Sequence, residues 1–234
     1  MDYQQFKEFA STYDIDVSKA QHQALMIYAN HLIDYNKKVN LTAIVEIDQI
    51  FIKHFLDSLL VLKHLKDNQH VADIGSGAGF PGLVLAIFLP NTNFSLIEPT
   101  NKRVVFLNEM IDILHLNNVN VIQSRAEDSK DKRETFDVVV SRAVARLDIL
   151  VELCVPLLKL NGLFIALKGA HANDEIEVSN NALKVLKATI EDVEEIELHY
   201  DNEIAKRNNV IIRKLEKTPN KYPRLYSKIK KQPL

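Results

Sequence analysis

The residues best equipped for chemistry lie in one run, Asp73-Ile74-Gly75-Ser76-Gly77-Ala78-Gly79-Phe80-Pro81-Gly82. Gly75, Gly77 and Gly79 at alternate positions let backbone approach a ligand without side-chain collision, and residues 77 to 82 also satisfy G-x-G-x-x-G. A pyrophosphate at the start of the next helix would want free backbone N–H groups and no neighbouring anion. Pro81 removes one such donor and Asp73 supplies a carboxylate. S-adenosylmethionine has no phosphate and carries an ammonium and a sulfonium, so it tolerates that acid. Glu98, at the end of the next strand, is placed to accept hydrogen bonds from ribose hydroxyls, a role that both cofactor classes share. Ala126 and Glu127, beyond a third strand, would lie beside the adenine. The loop reads as an S-adenosylmethionine site, with a nicotinamide dinucleotide as the alternative.

Other constellations are missing from the chain. Spacing supports no Ser-His-Asp arrangement, H-E-x-x-H or metal-ligand cluster, so no metal is expected. The single Cys154 excludes a disulfide framework and a Cys-based zinc cluster; it sits in an apolar helix and reads as core. Arg142 follows the fourth strand at the pocket mouth, opening the next helix, where an acceptor should arrive; an ion pair with Asp137 is its plainer role. Lys168 ends the fifth strand, where a surface lysine is its plainer role. His54 and Asp57, three apart on one helical face, could support the Asn40-Leu41-Thr42 loop.

These residues need elements to hold them. Short β-branched runs at 71–74, 94–97, 119–122, 136–140 and 163–167 alternate with helical stretches, which predicts a parallel sheet covered on both faces. Segments 190–200 and 208–215 are joined by the polar stretch Asp201 to Lys206, too short for a crossover helix, and should form an antiparallel hairpin. The expected fold class is α/β, a doubly wound Rossmann-like sheet whose ligand lies beyond the carboxyl ends of its strands. Ahead of it, residues 1–65 read as a helical cap: Val17, Ala20, Ala24, Leu25, Tyr28 and Leu32 recur at helical spacing after a possible Ser18 cap, and a second helix is predicted from Asp48 to Leu65. The expected division is a cap at 1–65, a cofactor-binding α/β domain at 66–216 and a basic tail at 217–234.

Composition sets the outer bounds. The chain has 234 residues, 47% hydrophobic, enough to bury a core. Its formal net charge of -2 announces no global field for nucleic acid. That balance hides a split: residues 174–203 carry 10 acids and 2 bases, whereas 206–234 carry 10 bases and 1 acid. The plainer reading is a solvated acidic helix and a solubilising tail; the sharper one has Lys206, Arg207, Arg213, Lys214, Arg224, Lys228, Lys230 and Lys231 grip phosphate. The longest apolar run, Leu83 to Leu89, falls far short of the ~20 residues of a membrane span, so a soluble cytoplasmic protein is expected.

The ordered set of motifs resembles the RsmG/GidB family of 16S ribosomal RNA guanine-N7 methyltransferases over nearly the whole chain. Its elements are Asn40-Leu41-Thr42, Lys53-His54-Phe55-Leu56-Asp57-Ser58-Leu59, the glycine loop with Phe80-Pro81-Gly82, Lys102-Arg103, Gln123-Ser124-Arg125-Ala126-Glu127, Ser141-Arg142-Ala143, Leu167-Lys168-Gly169 and Tyr222-Pro223-Arg224 with Pro233-Leu234. The resemblance implies a seven-stranded methyltransferase sheet and methyl transfer from S-adenosylmethionine to N7 of a guanine in the decoding-region loop of 16S rRNA. It implies that Gly75, Phe80, Ala126, Glu127 and Arg142 contact the cofactor or close its pocket. Arg125, Lys168 and Arg207 match positive positions serving RNA binding or the active site. The expected partner is 16S rRNA or an assembling small subunit, met by a monomer. The chain departs from the family at Ser227 and Ile229, where members often carry glycine and proline. A non-catalytic RNA-binding module on the same fold is the further alternative.

Overall fold

A computed structural model of the chain describes residues 1–200 and 203–234. The strands are β1 (His70–Ile74), β2 (Asn93–Ile97), β3 (Val119–Ile122), β4 (Phe136–Arg142), β5 (Leu158–Lys168), β6 (Ala188–Tyr200) and β7 (Glu203–Lys214). They form one seven-stranded sheet of order β3-β2-β1-β4-β5-β7-β6. The first five run parallel where their pairings are resolved, and β7 lies antiparallel to both β5 and β6. All seven strands stand where β-branched runs predict them. β5 starts earlier than expected, at Leu158, and β7 is already a strand at Glu203. Asp201 and Asn202, the start of the expected turn, lie outside the described residues.

Packing divides the chain into two units, residues 1–68 with 76–123, and residues 69–75 with 124–234. The chain passes from one to the other between Gly75 and Ser76. Residues 1–65, the expected cap, share the first unit with β2 and β3, and residues 217–234, the expected tail, lie in the second.

In the first unit, α1 (Tyr3–Ser11) and α2 (Lys19–Asn36) each open on a capping box, Asp2 with Gln5 and Ser18 with Gln21. Each cap side chain satisfies an orphan amide, a gain of about 1 kcal/mol. The single helix expected from Asp48 is instead α3 (Ile47–Ile50), a π-helical stretch over Phe51–Leu56, and α4 (Asp57–Leu59). α5 (Gly82–Phe88) and α6 (Asn101–Leu114) complete the unit. Its core centres on the fully buried Tyr28, whose ring lies 5.2 Å from Phe55, 5.5 Å from Phe80 and 6.3 Å from Phe106.

In the second unit, α7 (Leu147–Cys154), α8 (Ala172–Leu186) and α9 (Tyr226–Lys231) accompany β1 and β4–β7. Cys154 is buried, as expected of a core residue, and burial pushes its thiol well above the usual range. The charge split becomes a property of the hairpin: β6 sets Glu197 opposite Lys206 of β7, and Glu191 pairs with Arg213. Opposite charges across strands stabilise the pair. The tail is held by two arginines. Arg133 donates to the carbonyls of Thr218, Pro219 and Tyr222, and Arg224 binds Glu152 on α7 through Nε and Nη2 at 2.9 and 2.6 Å. Ile229, where the family often has proline, is fully buried and gives the tail an apolar anchor.

Candidate functional site

In the first unit the glycine loop is folded by its own amides. Gly79 and Phe80 N–H both donate to the Ser76 carbonyl, at 2.7 and 3.0 Å, and Gly79 has φ +93°. A Cβ there would strike the Tyr28 hydroxyl and Leu83, so the position accepts only glycine. The same Tyr28 hydroxyl donates to the Ala78 carbonyl, which pins the loop to α2. Phe80 stacks on His54 with ring centroids 4.5 Å apart. His54 Nε2 lies 2.8 Å from the Thr42 hydroxyl, and Asn36 Oδ1 accepts from the amides of Leu41 and Thr42. The expected support of the Asn40-Leu41-Thr42 loop by His54 is therefore present, and Asn36 is a second prop that the motif did not reveal.

Glu98 directly follows β2 and is 1% exposed. Its Oε2 accepts from Gly77 N–H at 3.0 Å and its Oε1 from Thr100 N–H at 2.8 Å, while Arg103 stands 3.6 Å away. A carboxylate offers about four acceptor sites, and these two amides engage one on each oxygen. Glu98 thus fixes the glycine loop while retaining acceptor capacity.

In the second unit, Asp73 is fully buried near the end of β1, and Gly75 follows at φ +71°. The space a Cβ would fill at Gly75 is taken by the Val144 side chain. Val144 belongs to the segment after Arg142, which proves to be the last residue of β4 rather than the opening of a helix. Ser141 Oγ donates to the Ile74 carbonyl at 3.0 Å and ties the ends of β4 and β1 together. Asp137, the acid considered for Arg142, accepts from Lys159 at 2.7 Å and from the His70 amide at 2.8 Å.

Ala126 and Glu127 form a short 3-10 turn, both buried. Burial raises the Glu127 carboxyl above its usual range, with Asp128 adding to the effect. The two residues help line a cavity of about 390 Å³ whose far wall is Arg133, Asn220, Lys221 and Tyr222. Sequence motifs did not connect the tail to this turn. Only the fold brings Tyr222 to Ala126.

The residues expected to meet RNA separate into two kinds. Arg125 is exposed, its guanidinium 6.0 Å from the Tyr226 ring, and Arg207 is half-buried on β7. Lys168 and Arg224 are instead turned inward. Lys168, its side chain 9% exposed, reaches the Ala145 carbonyl and Glu175, each at 2.7 Å, and Arg224 is spent on Glu152. Arg213 and Lys214 are likewise withdrawn from the expected phosphate grip. Lys214 is fully buried against Glu134 and the Leu158 carbonyl, and burial lowers its ammonium below the usual range. A buried cation without a partner is costly, so each of these bases has a carboxylate beside it.

Among the described residues there is no group of three His, Cys, Asp or Glu side chains arranged to hold a metal, and no helix long and apolar enough to cross a membrane.

The family model described as "GidB: rRNA small subunit methyltransferase G" matches residues 21–204. The chain belongs to this family. Ribosomal RNA small subunit methyltransferase G of Clostridium botulinum (strain Eklund 17B) is 43% identical over 225 residues, covering 94% of this chain and 93% of that protein. The Clostridium beijerinckii protein of the same name is 42% identical over 99% of this chain and 98% of its own length. Among solved structures, M. jannaschii TYW2 in complex with AdoMet superposes with a TM-score of 0.55 at 18% identity, covering 68% of this chain and 77% of that one. A SAM-dependent O-methyltransferase from Thermotoga maritima gives a TM-score of 0.53 at 16% identity, over 81% of this chain and 73% of that one. At such identities the likeness concerns the fold, a Rossmann-like sheet of the doubly wound kind expected from the strand pattern.

Proposed function

We propose that this chain transfers the methyl group of S-adenosylmethionine to N7 of a guanine in the decoding-region loop of 16S rRNA. Family membership carries the reaction class, methylation of small-subunit rRNA. The observation that supports the cofactor most directly is Glu98, a buried carboxylate that holds Gly77 yet keeps acceptor capacity for ribose hydroxyls. Gly75, Gly77 and Gly79, all at positive φ, supply a backbone cradle, and the buried carboxylate of Asp73 suits a cationic ligand better than a phosphate. Phe80, Ala126 and Glu127 complete the binding set.

Bound there, the cofactor supplies an electrophilic methyl group on a sulfonium. Guanine N7 has an in-plane lone pair and no proton, so the chain needs no general base and its work is positioning and electrostatics. Arg142, at the end of β4, donates to guanine O6, to a phosphate or to the cofactor, leaving N7 free. The target guanine is unpaired or extruded, because a stacked base cannot enter a recessed pocket. Arg125, Arg207, Lys206, Lys228, Lys230 and Lys231 meet the RNA backbone. The protein acts in the cytoplasm as a monomer on 16S rRNA or an assembling small subunit, with the helices of 1–65 as its cap.

The test is mass mapping of N7-methylguanosine in 16S rRNA from cells with and without the gene, and with Arg142→Ala. The modification is expected to vanish in both altered strains while the Arg142→Ala protein still folds. An unchanged modification in the deletion strain defeats the reading. Thermal stabilisation by NAD but not by S-adenosylhomocysteine would revive the dinucleotide alternative.

A further inference from the structure

The segment from Arg142 to Leu147 is an awkward piece of chain. Ala143 sits at φ +57°, a left-handed conformation that costs a non-glycine residue about 1–2 kcal/mol. Strain of this kind persists only where surrounding structure over-determines it. α7, which follows, opens on Arg146, and that residue contributes no side-chain cap to the helix.

Two residues from distant positions hold the segment. Arg142 of β4 lies in register with Leu167 of β5, so Lys168 is the next residue along the neighbouring strand. The Lys168 ammonium donates to the Ala145 carbonyl at 2.7 Å and pairs with Glu175 Oε2 at 2.7 Å. The same Glu175 oxygen accepts from the Leu147 amide at 2.7 Å, so α8 caps α7. Val144, directly before the tied Ala145, fills the space where a Cβ on Gly75 would stand. A lysine meant for phosphate would extend into solvent, whereas this one is 9% exposed.

We propose that Lys168 and Glu175 form a clamp of positioning residues that sets the Arg142–Ala145 segment for methyl transfer, and that Lys168 does not bind RNA phosphate. The inference rests on the reading of Arg142 given above. A displacement of about 1 Å in a positioning element can cost about a hundredfold in rate, so the clamp should act on turnover rather than on RNA affinity.

Lys168→Met, Glu175→Gln and the double variant distinguish the roles. With saturating 16S rRNA, kcat should fall at least about tenfold in each single variant, and the double should be no worse than the weaker single, because both remove one unit. RNA affinity and its salt dependence should stay as in the wild type. A phosphate-binding Lys168 would give the opposite pattern: Lys168→Met would weaken RNA binding and reduce the salt slope by about one, while Glu175→Gln, which removes a negative charge, would leave turnover near normal. That result overturns the clamp, as does a double variant whose loss equals the product of the singles. Hydrogen exchange supplies a readout free of activity, since the Leu147 amide should exchange faster in Glu175→Gln than in the wild type, and unchanged protection also overturns the proposal. If the wild type methylates no rRNA, the functional reading fails, and the exchange experiment still decides whether the clamp exists.

Discussion

Glu98 and Glu152 are both glutamates with essentially no exposure, one in each unit, and their surroundings differ in kind. Glu152 is saturated: Oε1 accepts from the backbone and Nε of Arg224 at 2.8 and 2.9 Å, and Oε2 from its Nη2 at 2.6 Å. Glu98 accepts one backbone amide per oxygen and has only a looser cation, Arg103, at 3.6 Å. A buried carboxylate whose acceptor sites are filled by the chain's own cation serves the fold. One that leaves acceptor capacity beside a glycine loop suits the ribose contact proposed for it. Burial and residue type are identical in the two cases, so only the partners distinguish them.

The comparison is broken most easily at Glu152. Glu152→Ala leaves Arg224 without its carboxylate and unties the tail, and should cost about 3–5 kcal/mol in urea denaturation, in the range found when one partner of a buried pair is removed. Affinity for S-adenosylhomocysteine, measured by calorimetry well below the midpoint of unfolding, should change less than about twofold. A large loss of affinity with intact stability would move Glu152 into the binding class. Glu98→Gln should behave in the reverse sense. The amide keeps one acceptor oxygen and confronts the other backbone N–H with a donor, a local cost of about 1 kcal/mol, while ribose recognition falls by about ten- to a hundredfold. A stability loss with affinity preserved would make Glu98 a purely structural partner of Gly77.

The contrast also explains what could be read beforehand. Strand positions were legible because runs such as Val119-Asn120-Val121-Ile122 declare themselves locally, and the Ser18 cap because its partner Gln21 is three residues away. The places of Asp73 near the end of β1 and of Glu98 just after β2 were legible because each stands at the end of a short apolar run. The fate of individual cations was not. Arg224 finds Glu152 at a separation of 72 residues, and Lys214 finds Glu134 at 80, and nothing near either base in sequence names its acid. A basic run therefore overstates the cationic charge left unpaired at the surface. The π-helical stretch escaped for another reason: Phe51, Ile52, Phe55 and Leu56 are buried at spacings that an ordinary helix also allows, so periodicity carries no trace of the wider turn.

Glu127 is the intermediate case and tests the comparison most finely. It is buried, but no cation is committed to it, and burial holds its carboxyl above the usual 4.5. The folded protein therefore binds this proton more tightly than the unfolded chain does. Between 4.5 and the raised folded value the native state carries the extra proton, so stability falls as pH rises through that window and levels off above it. Glu127→Gln, which resembles the protonated acid, should remove this component. Its melting temperature relative to the wild type should rise between pH 4.5 and pH 7, by less than the shift produced at Glu152. A difference that falls with pH would mean that an unrecognised cation holds Glu127 ionised, placing it with Glu152. With S-adenosylhomocysteine bound, the slope should shrink if the ligand donates to this carboxylate, because an accepted hydrogen bond favours the ionised form.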